Sequence, residues 1–575
     1  MIGRMAQEQQ QPASVVQSCA NSLAQQPEEP SQFWEHLLPE LAERVVSFLP
    51  INEIACTFRP LNKATAALCK SERYTAVRLS SPVPLHAFKH RWSHPGAMHG
   101  KTLQQRHQLL HLTARSGSIP NLELAIQYTG CLLTGEVHGC RGECVIEEAA
   151  SAGQLEMCQW LQQQGCSLKA ATWAAARAGH QAICEWGLAL SDCSRGLGLL
   201  LTTGIVAAAC SEGHVSLVEW LYQQLQLSGH PRLEFPFWYY IAVATGGDLA
   251  SLQRLGNEEL QSMEAWEQAS ILGAAAGSPT PDWRAKVTWL KAQGLTDHVD
   301  CRIVVGLPDA LDRLRWLQGR GYPMEASMAR EAAEQGNVGA LEFLLSEGVE
   351  ANEQAARAAA AGGHLEALRL LHAHDCPMCV ATVKCAARGG HLHVVVWLVE
   401  TLGDGVLRNP GVFDSAAESG RLELLRWLRG RGCGWGQSTF AKAVQAGCEE
   451  TLEWLVEEGC PMQTDGAPFL GAARHGDLLT LRCLKRLGCP WGPHGRLITR
   501  CIECCCDPRV LSWLRDEGCP VDWDKAGKAA GKAVRKVSCD TGSTILGEVA
   551  KQCATRVLEW VGEESGLAGE VGSGM

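Results

Sequence analysis

A glycine recurs at Gly336, Gly363, Gly390, Gly420, Gly447 and Gly476, with gaps of 27, 27, 30, 27 and 29 residues. Each time the same apolar wording surrounds it, as in "AARGGHLHVVVWLVE" from Ala386 to Glu400. Weaker copies sit at Gly117, Gly153, Gly179, Gly213, Gly247 and Gly277, with a degenerate one near Gly306. A further copy lies downstream, where Cys506 takes the place of the glycine before "VLSWLRDEGCP". Roughly a dozen such units at a near-fixed period restrict the chain to a stacked solenoid, because no single unit buries its own apolar face.

The chemistry inside one unit predicts its local structure. Paired alanines precede the glycine (Ala386 and Ala387, Ala416 and Ala417, Ala472 and Ala473). Alanine is the strongest helix former and lets neighbouring helices approach closely. The glycine supplies the left-handed residue that ends a helix. Apolar residues at helical spacing follow, Leu392, Val395, Val396 and Val399 in the quoted stretch, and Leu422 is the equivalent core position one unit later. Each unit is therefore expected to be a short helix, a tight turn and a second, antiparallel helix. Tryptophan followed by leucine stands seven residues after the glycine at Trp160, Trp220, Trp397, Trp427 and Trp454, and Trp513 is seven after Cys506. A stripe at repeat spacing predicts core packing.

"GGHLEALRLLHAHDC" and "GGHLHVVVWLVE" resemble the second-helix half of the ankyrin repeat, with the Gly-His step intact at Gly179-His180, Gly213-His214, Gly363-His364 and Gly390-His391. The resemblance extends from about residue 106 to about residue 560. It departs in length and in the missing Thr-Pro-Leu-His opening, where "ATVK" (Ala381–Lys384) and "STFA" (Ser438–Ala441) stand instead. The shortening falls on the loop between units, compressed to "GCPM" at Gly459–Met462 and "GCPW" at Gly488–Trp491. The expected fold class is all-α, an ankyrin-like helical solenoid with little β-structure. The resemblance implies protein partners on the repeat surface, with Trp435, Met462 and Trp491, just after the turn, as candidate contacts.

Residues 33–75 fall outside the period. "FWEHLLPELAERVVSFLPINEIACTFRPLNKATAALCK" reads as three short helices, with Pro39 starting one, Pro50 ending it, and Asn52 capping the next. The order Leu38-Pro39-x-Leu41, Val45, Phe48-Leu49-Pro50, Leu61-Asn62-Lys63 resembles the F-box, the small module that binds the Skp-type adaptor of cullin–RING ubiquitin ligases. That resemblance implies Leu38, Pro39, Val45, Leu49 and Ile54 as adaptor-facing residues or supports of that face. The alternative is a helical cap on the open end of the solenoid. The remaining boundaries are a Gln-rich disordered tail at 1–32, a linker at 76–105, the array with its carboxyl-terminal cap at 106–560, and a flexible end at 561–575.

Composition removes several function classes. A net charge of −11 and a pI near 6.0 argue against nucleic acid or an anionic membrane as partner. No apolar run has spanning length and the amino terminus lacks a secretory core, so an intracellular protein, cytoplasmic or nuclear and monomeric, is expected. Cysteine recurs after the turn glycine at Cys166, Cys433, Cys460, Cys489 and Cys519, which reads as a small buried hydrophobe. "CIECCCDP" holds Cys501, Cys504, Cys505 and Cys506 without a second half-site, and His90, His94 and His99 read as solvated; no metal, cofactor or catalytic constellation is expected. Lys525, Lys528, Lys532, Arg535 and Lys536 recur every three or four residues and form a basic ridge if helical. The functional expectation is a protein–protein interaction module and not an enzyme. It is either the substrate receptor of a Skp–cullin–F-box ligase or an ankyrin-type scaffold with no ubiquitin link.

Overall fold

The structure is a computed structural model, described over residues 39–133, 145–190, 197–227, 236–254, 258–295, 302–436, 438–493, 495–540 and 545–565. The chain divides into two compact parts, one ending at His90 and one starting at Arg91.

From Leu103 onward the second part is a continuous series of antiparallel helix pairs. It runs from Leu103–Arg115 with Ile119–Thr129 to Trp523–Asp540 with Ile545–Ser565. Among the described residues the only β-feature is an isolated bridge between Cys131 and Asp477. The alanine pairs explain the stacking. Ala386, Ala387, Ala416 and Ala417 have no exposed surface, and consecutive first helices pack along their length, while consecutive second helices touch more sparsely. A helix faced with methyl groups lets its neighbour come close; one faced with leucine and tryptophan holds it further off.

The glycine does what its position predicts. Gly363 ends helix Glu353–Gly362 at φ +77°, and a Cβ there would meet the His391 ring at 2.5 Å. That contact belongs to a ladder linking the repeats. His180, His214 and His391 each start the second helix of one repeat and donate from Nε2 to Ser151, Arg177 and Ala361 carbonyls of the repeat before, at 3.0, 2.8 and 2.9 Å. The last carbonyls of a helix lack internal partners, so these three Gly-His steps cap the preceding repeat. The degenerate repeats keep the cap with other residues. Asn337 reaches the Val305 carbonyl, Arg313 those of Ala276 and Ser278, and Lys286, wholly buried, that of Ala244.

The apolar register is shifted from the sequence expectation. The buried set on the quoted second helix is Val394, Val395, Leu398 and Val399, with Leu392 and Val396 half-buried. One repeat on, Leu424, Leu425 and Leu428 form the core and Leu422 is half-buried. The residue directly after the turn is the first of its helix and frames the end of the core. Trp397, Trp427, Trp454 and Trp513 are likewise half-buried against the core, and Trp397 meets His372 of the preceding repeat edge-on at 5.9 Å. The turn cysteines Cys166, Cys433, Cys460, Cys489 and Cys519 are buried. Burial pushes the Cys489 and Cys519 thiols up to about 12, as for an apolar packing group.

In the amino-terminal part, helix Pro39–Phe48 is followed by Ile51–Glu53, a π-turn Ile54–Phe58 and helix Lys63–Leu68. Val46, Ile54, Phe58 and Cys69 form its core. Asn52 does not cap a helix as its position suggested. It is buried, donates to the carbonyls of Arg78, Ser81 and Pro82 and accepts from the Arg78 amide at 2.9 Å, tying down the segment that follows. Asn62 is the cap in this part, in a reciprocal pair with Thr65.

Candidate partner-binding wall and its clasp

The first helices form a wall whose polar side chains are paired from repeat to repeat. Arg115 meets Glu148 at 3.1 Å, Arg177 meets Glu212 at 2.9 Å, and Glu418 holds both Arg388 and Lys442, at 2.7 and 2.5 Å. Burial works against the Glu418 charge, but hydrogen bonds from Lys442 and Arg388 prevail and hold its carboxyl below the usual range. The repeats between 168 and 305, whose wording is most eroded, carry the exposed large apolar residues of the wall: Trp173, Trp238, Trp266 and Ile303. Trp266, 62% exposed, stacks edge-on with Phe237 of the neighbouring repeat at 5.2 Å. Trp173 borders a groove of about 240 Å³ with Glu147, Glu148, Arg177 and Glu212. Apolar rings among paired charges make a surface for recognition without supplying a reacting group.

The first repeat is clasped onto repeats more than three hundred residues later. Arg106, wholly buried in helix Leu103–Arg115, donates through both terminal nitrogens to Asp477 at 2.8 and 2.6 Å and to the carbonyls of Thr129 and Gly447, each at 2.8 Å. Burial opposes its charge, and Asp477 more than offsets this, so the guanidinium stays cationic. Asp477 also caps its own helix by accepting from Thr480, at 3.1 Å from the amide and 2.6 Å from the hydroxyl. Main-chain bonds flank the pair: Leu132 donates to Gly476 at 3.2 Å, Leu478 to Gly130 at 3.0 Å, and Glu450 to His99 at 3.1 Å. Gly447 is required twice, since its φ is +66° and a Cβ would lie 2.7 Å from Asp477 Oδ2 and 2.9 Å from Arg106 Nη2. At these repeats the residue after the glycine is Cys448 or Asp477.

His107 stands beside this pair, stacked on His111 with ring centroids 6.3 Å apart. Burial, and then the neighbouring His111 and Arg106, push its pKa down to about 4, with Asp477 acting weakly in the other direction and His475 adding to the decrease. His107 is therefore neutral in the fold and takes up a proton more readily once released. The stability that this contributes is expected in full above about pH 6.5 and to be lost as pH falls toward about 4. His107→Gln is expected to flatten this part of the stability–pH curve, read as chemical-denaturation midpoints across that range.

The sequence-predicted site residues are scattered over the molecule. Leu38 lies outside the described residues, and of Pro39 and Val45 only the helical backbone is described. Leu49 is half-buried against the small core and Ile54 is within it. Trp435, Met462 and Trp491 are half-buried against the array core. Trp435 meets Phe413 edge-on at 5.9 Å with Arg429 3.7 Å above its ring, and Trp491 lies 4.1 Å from Phe469. His99 is paired with Glu453 at 2.7 Å, contrary to a solvated reading. Cys501, Cys505 and Cys506 are buried, and Cys504 accepts from Arg474 at 2.9 and 3.3 Å. Sequence reasoning missed Arg106, Asp477, Lys286 and Arg313, and no local pattern set them apart.

The fold is an all-helical repeat array. No protein-family model and no curated protein matches the chain. Among solved structures it is similar to the pentatricopeptide repeat protein PPR10 from maize, at 12% identity and a TM-score of 0.26, covering 96% of this chain and 88% of that one. It is also similar to PPR10 in complex with an 18-nt psaJ RNA element, at 11% identity and a TM-score of 0.22, covering 93% of this chain and 100% of that one. These are helical repeats of another type than ankyrin, and likenesses at this level assign no ligand to this chain. The exclusion of nucleic acid drawn from net charge does not stand. A helical repeat array has been solved with an RNA element on it, and a net charge of −11 sums a whole surface without describing any one face of it.

Proposed function

We propose that this chain is a non-catalytic binding scaffold with an ankyrin-like array, and that its amino-terminal part links it to a ubiquitin ligase as a substrate receptor. In this reading residues 39–90 dock a Skp-type adaptor and the first-helix wall holds the protein to be modified. The observation that carries the ligase half is Phe48, 79% exposed at the end of helix Pro39–Phe48, beside the compact core of Val46, Ile54 and Phe58. Leu61 and Val77 add exposed apolar surface to the same small part, and uncovered side chains of this size suit a docking face.

The ankyrin-like reading is supported by the Gly-His step and its inter-repeat cap, and the non-catalytic reading by the structural roles of Arg106, Lys286 and the buried turn cysteines. Trp435, Met462 and Trp491 are proposed as partner contacts through their open edges. An intracellular setting is supported by cysteines buried as apolar groups; no described helix is long and apolar enough to cross a membrane. The test is co-purification of the full chain with a purified Skp-type adaptor, against a Val45→Asp, Phe48→Asp variant. Capture that the variant loses supports the receptor reading. No capture by folded protein leaves an ankyrin-type scaffold without a ubiquitin link.

A further inference from the structure

The last first helix, Trp523–Asp540, carries a row of exposed cations along one face. Ala526, Ala529, Ala530 and Ala533 face inward and are buried, and the helix packs against Arg496–Glu503 and Ile545–Ser565. Lys525, Lys528, Lys532 and Arg535 are exposed on the other side. Lys525 is held by Asp522 at 2.8 Å. Among the described residues Lys528, Lys532 and Arg535 have no ion-pair partner, whereas Arg115, Arg177, Arg388 and Lys442 on earlier first helices are each paired with a glutamate. An acidic chain thus places three exposed cations without an ion pair among the described residues within two turns of one helix.

We propose that this ridge docks an acidic helical segment of a partner protein, an inference that rests on the scaffold reading and adds a second contact surface to it. Cations three or four residues apart rise about 4.5–6 Å along the helix, close to the spacing of carboxylates at i and i+4 on a facing helix, about 5–6 Å. An RNA strand fits less well. Single-stranded nucleic acid is held by exposed aromatic rings as well as cations, and the aromatic residue of this helix, Trp523, is half-buried with its ring centroid 5.9 Å from that of Trp560.

The test measures fluorescence anisotropy of a labelled alanine–glutamate helical peptide with the full chain, at low and physiological salt, with oligouridylate as the competing probe. The ridge predicts peptide binding that weakens by about tenfold or more in a Lys528→Glu, Lys532→Glu, Arg535→Glu variant and as salt is raised. The milder Lys528→Gln, Lys532→Gln variant gives an intermediate loss and guards against misfolding. Peptide bound equally by the charge-reversed chain, no peptide binding, or oligouridylate bound more tightly than peptide overturns the proposal. Adaptor capture by the same variants reports separately on the ligase-receptor reading, because residues 39–90 are untouched.

Discussion

Asp477→Ala is expected to cost about 3–5 kcal/mol and to release the first repeat from the array. The cost comes from what remains behind. Arg106 has no exposed surface and cannot shed its proton, so removing its carboxylate strands a buried cation whose remaining partners, the Thr129 and Gly447 carbonyls, the Thr480 hydroxyl and the Cys131 sulfur, are all uncharged. About 1 kcal/mol belongs to the helix cap, because Asp477 also accepts from Thr480. Asp477→Asn separates the two, since it retains a cap acceptor and loses the charge. Arg106→Leu with Asp477→Leu is expected to recover part of the loss, as paired apolar replacements of buried ion pairs often do. Denaturation midpoints give the totals, and faster proteolysis within 103–130 locates the release. Equal stability of Asp477→Ala and the parent would show that the pair does not hold the first repeat.

Leu425→Ala is expected to cost about 2–5 kcal/mol, and Leu422→Ala clearly less. The two residues share one helix, but Leu425 is wholly buried while Leu422 is half-buried beside the turn. In a stacked array the loss is felt by neighbours, because each repeat is stabilised mainly by the interfaces on either side. The unfolding transition of Leu425→Ala is therefore expected to split, with the repeats around 410–430 opening first. Equal costs for the two substitutions would contradict the register.

The repeat was legible because it is periodic. Alanine pairs, the left-handed glycine and the buried turn cysteine each have a local physical reason, and repetition made each one visible many times. The register was read less well: Leu392 and Leu422 look like core by hydrophobicity, but they begin their helices. What repeats once cannot be read from a period. Arg106 sits in an ordinary leucine-rich helix, and its partner lies 371 residues away. The degenerate repeats hid their caps for a related reason, since Lys286 and Arg313 reach the same carbonyls from deeper in the helix than histidine does. Asn52 looked like a cap by position and is instead a tether, a role set by residues 78–82 that no local pattern announces.

The wall proposed to hold a partner depends on the array keeping its first repeat in place. Amide hydrogen exchange on the intact chain tests this most directly, at Leu132, Glu450 and Leu478, whose amides donate across the clasp. The clasp predicts that these three exchange as slowly as the core amides of the helices at 355–371, and that Asp477→Ala accelerates them while leaving 355–371 protected. Rapid exchange at all three in the parent chain would contradict it, because the first repeat would then be free of the repeats it is described as holding.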